Sequence, residues 1–113
     1  MNLTLPYPPS VNHYWGRTRY GGMFVSKKGM AFRSEVFFLS QGVSFHGSAR
    51  LKVIIQLFPP DKRKRDLDNV LKPLLDALQH AGVFPDDNQI DWLTIHRKEK
   101  CMKGKCIVSL ETI

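Results

Sequence analysis

The sequence lacks any apolar run near the length of about 20 residues that a membrane helix needs. It also opens without a basic segment leading into an apolar one. Neither a membrane span nor a secretory leader is therefore expected. Cysteine is scarce, with only Cys101 and Cys106 in 113 residues. Two thiols cannot build a disulfide scaffold. Without a second Cys/His pair at ligand spacing they cannot build a zinc module either, and His13, His46, His80 and His96 supply no zinc pattern. The expectation is a reduced, cytoplasmic protein. A Gly-rich dinucleotide loop, a Walker loop and a Ser-centred nucleophile elbow are also missing, which removes the usual grounds for nucleotide hydrolysis or acyl transfer. No repeat, low-complexity tract or linker divides the chain, so residues 1–113 are expected to form one domain.

Acidic residues are the minority charge. Ten Asp and Glu face 17 Lys and Arg, leaving a net charge of +7. Such a balance favours a polyanionic partner, with nucleic acid ahead of an anionic membrane surface, although solubility alone also accounts for it. Hydrophobic residues at 42% and charged residues at 24% match an ordinary globular protein, so a packed core needs no staple.

Periodicity gives a mixed α/β domain. Leu3 to Leu5 alternates like a short strand and is closed by Pro6, Pro8 and Pro9, which cannot donate ladder hydrogen bonds. Residues 10–22 hold no sustained period and read as a binding loop. Ser26 is a good N-cap for a helix through Met30 to Leu39 that stops near Gly42. Leu51 to Phe58, β-branched in its middle and bounded by prolines, predicts a well-buried strand. Val70, Leu71, Leu74, Leu75, Leu78 and Ala81 recur at helical spacing ahead of Gly82, and Pro73 predicts a late start or a bend in that helix. Ile90 to His96 and Cys106 to Ile113 alternate as strands. The Lys-rich segment with Gly104 between them predicts a hairpin, which would set the two cysteines on adjoining strands where a disulfide is permitted but not required. Phe37, Phe38 and Trp92 are assigned to packing within these elements. The architecture expected is a mixed sheet with helices packed against it.

The most informative stretch is DKRKRDLDN, residues 61–69, in which four cations run into Asp66 and Asp68. In extended chain, residues i and i+2 face the same side, so both carboxylates can point at one hard cation while Leu67 points into the core. Magnesium or manganese takes oxygen ligands and shares its shell with substrate phosphates, which suits a nuclease. Asp86 and Asp87 follow the helix, and a helix returning beside its own start would bring them toward Asp66 and Asp68. The structural alternative is that Asp66 or Asp68 caps the helix and Asp86 and Asp87 start a turn. Lys72 reads either as an i,i+4 partner of Asp68 or as a cation beside a scissile phosphate.

Phosphate contacts are expected from Lys62, Arg63, Lys64 and Arg65, with further cations at Arg17, Arg19, Lys27 and Lys28. A second cluster, Arg97, Lys98, Lys100, Lys103 and Lys105, crowds the expected hairpin tip. Tyr14, Trp15 and Tyr20 lie among the early cations, where they can stack on exposed bases, although core packing is expected of at least one.

Taken in order, Leu5-Pro6-Tyr7-Pro8-Pro9-Ser10 with Asn12, then Arg65-Asp66-Leu67-Asp68-Asn69 with Lys72 and Asp76-Ala77-Leu78, then Ala81-Gly82 and Asp86-Asp87, resemble the RusA family of Holliday junction resolvases. The resemblance spans nearly the whole chain. It implies metal-binding carboxylates at Asp66, Asp68 and Asp87, a catalytic cation at Lys72 and a DNA contact at Asn12. Val11 stands where the family often carries a further Asn, and Pro73 departs from the usual helix-compatible residue after the lysine. The implied activity is Mg2+-dependent cleavage, with Mn2+ as a substitute, by a homodimer cutting four-way DNA junctions symmetrically. A nucleic-acid binding module whose acids only cap and turn, or a nuclease for flaps, forks or RNA, remains open at this point.

Overall fold

A computed structural model describes all 113 residues. Four strands form one mixed sheet: β1 (Asn2–Leu5), β4 (Leu51–Phe58), β5 (Ile90–Arg97) and β6 (Lys105–Thr112), in the order β1-β6-β4-β5. β4 runs parallel to β5 and antiparallel to β6, and β1 is antiparallel to β6. Strands alternate faces, and the register carries that alternation across the sheet. Leu5 lies opposite Cys106, which faces Leu57, and Leu3 lies opposite Val108, which faces Ile55. One face is thus continuously apolar. Against it pack α2 (Lys27–Leu39), through Phe32 and Val36, and α3 (Asp68–His80), through Val70, Leu74, Leu75 and Leu78.

The helix caps follow the local chemistry. The Ser26 hydroxyl accepts from the Gly29 N–H at 3.0 Å, satisfying one orphan donor of α2. Pro73 lies inside α3 yet neither delays nor ends it. It sits near the helix start, where its missing N–H forfeits only the bond to the Asn69 carbonyl, and its ring is buried against the core.

Three expectations are corrected. Residues 10–22 are not a structureless loop. They contain a one-turn helix, α1 (Val11–Tyr14), and β2 (Trp15–Arg17), which pairs with β3 (Met23–Val25) in a small hairpin. β5 and β6 do not form a hairpin, because β4 lies between them. The 98–104 segment instead crosses the end of β4, donating from Lys98 N to Leu57 O at 2.8 Å and from Cys101 N to Pro59 O at 2.9 Å. Its turn uses positive φ at Lys103 (67°) and Gly104 (70°), and a Cβ on Gly104 would lie 2.9 Å from Tyr7 Cβ. Alternation identified both strands but carries no information on which strands are neighbours. Both cysteines are free thiols, and burial pushes the Cys106 thiol up to about 12. Finally, Phe37, Phe38 and Trp92 are exposed rather than packed, Phe38 at 76%. Trp92 sits on the sheet face away from the helices, with the Lys52 ammonium 4.4 Å from its ring centroid.

Candidate active site and nucleic-acid interface

The acids gather around α3. Its first residue is Asp68, with Asp66 just outside, and the partly buried Leu67 anchors the turn in the core. The Asp66 carbonyl accepts from Asn69 N at 3.2 Å, and no side chain caps the helix. The capping alternative for Asp66 and Asp68 is therefore not realised, and both residues are exposed at the rim of a cleft.

At about 100° per residue, Asp68, Lys72 and Gln79 fall within about 40° of one another on α3. Asp87 docks against this stripe. Its N–H donates to Gln79 Oε1 at 3.1 Å, and its Oδ2 lies 3.8 Å from Lys72 Nζ. Asp86 acts locally instead. Its carboxylate accepts from Asn88 N at 2.9 Å, and Gln89 Oε1 accepts from Asp86 N at 3.1 Å. This reciprocal box starts the 3-10 turn Asp87–Gln89 and fixes the approach to β5. Asp86 is a turn former, as the structural alternative had it, while Asp87 faces α3.

The chain thus sets Asp66 and Asp68 in the lining of one cleft and pairs Asp87 with Lys72, one turn beyond Asp68 on α3. It does not draw three acidic side chains into a single metal-ligating group. In donor chemistry the residues fit a hard divalent cation, since all three offer carboxylate oxygens. In this conformation Asp87 is paired with an ammonium and only Asp66 and Asp68 line the cleft.

That cleft has a volume of about 1050 Å³. Lys62, Arg63, Lys64 and Arg65 line it, joined by Arg97 and Lys100, which the sequence placed on a distant hairpin tip. The crossover explains the difference, because passing over the end of β4 sets it beside the chain leaving β4. The basic segment is internally braced. Arg65 Nη1 donates to Asp61 Oδ1 at 2.6 Å, and Arg97 donates to the Arg65 carbonyl. The Arg65 guanidinium lies 5.7 Å from the Tyr7 ring centroid. The Arg65 hydrogen bond, followed by the Arg63 backbone N–H, holds the Asp61 carboxyl well below the usual range.

Of the other cations, Lys27 and Lys28 are exposed in the first turn of α2, and Arg17 and Arg19 are exposed on or beside the β2–β3 hairpin. Asn12 is exposed in α1. Tyr14 is a correction: it is fully buried and cannot stack on a base. Its hydroxyl donates to Asp76 Oδ2 at 2.5 Å and accepts from Arg33 Nε at 2.8 Å, while Arg33 Nη2 reaches the same carboxylate oxygen at 2.8 Å. This triad ties α1, α2 and α3 together, and its only sequence signal was Asp76 within the Asp76-Ala77-Leu78 motif. Burial, followed by the Asp76 hydrogen bond, pushes the Tyr14 phenol up to about 12. Burial works against the Asp76 carboxylate, but the Tyr14 and Arg33 hydrogen bonds outweigh it and leave the carboxyl below its ordinary value. Tyr20 is 91% exposed and free to contact a partner, whereas Trp15 packs edge-on to Tyr14 at 4.5 Å.

Comparison with known proteins identifies the family. Residues 6–111 match the family model described as endodeoxyribonuclease RusA. The chain is 40% identical over 116 residues to a crossover junction endodeoxyribonuclease of Enterobacteria phage HK97, covering 98% of this chain and 96% of that protein. Similar enzymes of Enterobacteria phage 82 and Shigella sonnei are 38% and 40% identical over 91 residues, covering 79% of this chain and 75% of theirs. The chain belongs to the RusA family of endodeoxyribonucleases.

Proposed function

We propose that this protein is a structure-selective endodeoxyribonuclease that resolves four-way DNA junctions. The observation that carries the reading is 40% identity across 98% of the chain to a protein named a crossover junction endodeoxyribonuclease. A basic cleft with Asp66 and Asp68 at its rim supports it. Lys62, Lys64, Arg97 and Lys100 draw a DNA backbone into the cleft by displacing its condensed counterions. Asp66, Asp68 and Asp87 would hold a divalent cation, Mg2+ or Mn2+, which when bound lowers the pKa of water and offsets charge on the phosphate. Lys72, held beside Asp87, stabilises negative charge that builds on the phosphate oxygens during attack. Hydrolysis adds the water oxygen to phosphorus and passes a proton to the departing 3′ oxygen, leaving a 5′ phosphate and a 3′ hydroxyl. Two copies related by a two-fold axis would make the paired cuts, matching protein symmetry to junction symmetry. Such an enzyme works in the cytoplasm, where recombining DNA is found.

The test uses Asp68→Asn and Asp87→Asn on a synthetic four-way junction, with binding and cleavage followed separately. Cleavage should fall by at least ~100-fold with Mg2+ present, the scale for losing one charge-stabilising group, while binding persists. Cutting at the wild-type rate by either variant would reject the assignment. Binding by the wild-type chain with no metal-dependent product would instead make it a binding module.

A further inference from the structure

The segment Arg63–Asp66 borders two clefts. One flank is the large cleft, which continues to Asp68, Arg97 and Lys100. The other is a cleft of about 360 Å³, which Ser10, His13, Lys28 and Asn69 also line. Arg63, Lys64, Arg65 and Asp66 line both. A single extended backbone follows one groove, whereas two grooves meeting at one acidic residue suit two backbones that part there.

The two flanks differ in charge and in acids. The large cleft sets Asp61, Asp66 and Asp68 among its cations, the mixture needed to bind a phosphate and cut beside it. The small cleft has Asp66 as its sole acid and adds hydrogen-bonding groups suited to phosphate oxygens: the Lys28 ammonium, the Asn69 amide, and the Ser10 hydroxyl with the His13 ring 2.9 Å from it. His13 and Lys28 are exposed, and the structure gives neither an ion pair. This flank can hold a strand but has less with which to cut one.

Building on the proposed nuclease reading, we propose that the small cleft is a second backbone-binding site, occupied by the uncut strand that diverges from the cleaved strand at the shared Arg63–Asp66 segment. The partner is a phosphodiester backbone at a branch. Continuous duplex, whose strands do not separate, engages the large cleft alone. Selectivity for branched DNA then resides in Ser10, His13, Lys28 and Asn69, and general affinity in the Lys62–Arg65 segment with Arg97 and Lys100.

The experiment measures binding of the full chain, without divalent ion, to an immobile four-way junction and to a linear duplex of equal length across a salt series. For the double variant His13→Ala with Lys28→Gln, junction affinity is expected to drop about tenfold, duplex affinity less than twofold. The slope of log K against log salt should shrink by about 0.9 for the junction only, the share of one released phosphate contact. For Arg97→Gln with Lys100→Gln, both substrates should weaken together. Parallel losses on junction and duplex from the first variant, or no loss on either, would overturn the two-cleft assignment even while the wild type still cuts junctions. A wild-type chain with no preference for the junction would also overturn it, whereas the nuclease reading falls only if the chain makes no metal-dependent cut. The substituted side chains are exposed, and circular dichroism of each variant confirms the fold before affinities are compared.

Discussion

Replacing Tyr14 with Phe removes one hydroxyl from the point where three helices meet. The ring is fully buried, so Phe keeps its packing and the change isolates the polar term. The hydroxyl's 2.5 Å bond to Asp76 and the 2.8 Å bond it accepts from Arg33 are both lost, leaving Arg33 Nε without that acceptor. Hydrogen bonds to charged groups contribute about 1.5–3 kcal/mol each, and partial rearrangement with water recovers some of this, so a net loss of ~2 kcal/mol is expected. For a chain of this size, each kcal/mol moves Tm by about 4 °C, giving a drop of roughly 8 °C. Thermal melts and urea titrations at neutral pH measure it. Alkaline pH supplies an independent check. The folded phenol titrates at about 12 against an ordinary value of 10.0, so its stabilisation is complete below pH 10 and is lost as pH rises toward 12. The gap between wild type and Tyr14→Phe should narrow over that interval. The Asp76 carboxyl is depressed, so its contribution holds above its ordinary value of 3.8 and disappears as pH falls below it. A melting point for Tyr14→Phe within about 2 °C of wild type would refute the triad as a stabilising element.

Gly29→Ala should destabilise, although alanine is usually better in a helix by about 1 kcal/mol. A Cβ at this position runs into the Tyr14 carbonyl and lies 2.6 Å from Val25 Cγ1, so we expect a net loss of about 1–3 kcal/mol in urea unfolding, and a gain would refute the packing argument. Asp61→Asn removes a carboxylate that neutralises Arg63 and Arg65. Duplex binding should tighten a few-fold and its salt slope should steepen by up to about 0.9; an unchanged slope would mean that these guanidinium groups do not reach phosphates. Lys72→Gln should lower the single-turnover cleavage rate by about 100-fold while leaving junction affinity within a few-fold, and an equal fall in both would make Lys72 a binding cation instead.

Local patterns were legible in the sequence and long-range neighbours were not. Leu51 to Phe58 and the α3 repeat were readable because a period of two or of 3.6 is written in consecutive side chains. The β5–β6 hairpin was misread because alternation reports which face a residue takes and says nothing about the strand beside it. That error carried into the interface, hiding Arg97 and Lys100 from the Lys62–Arg65 cleft. The pairing of Asp87 with Lys72 was foreseeable only as a returning chain, since it depends on Gln79 and on the Asp86 box. Tyr14 was misplaced because an aromatic among cations looks the same in sequence whether it stacks on a base or seals a core. Phe37 and Phe38 were misplaced because helical composition does not say which face a neighbour will cover.

β6 is the last strand in chain order, yet it lies between β1 and β4. Without residues 105–112 the sheet is open along its middle, its two facing edges about 10 Å apart with no strand to join them. A chain in which this segment has not docked presents two unpaired rims to other chains. Cutting away those eight residues would not trim a margin; it would separate the amino-terminal strand from the rest of the sheet.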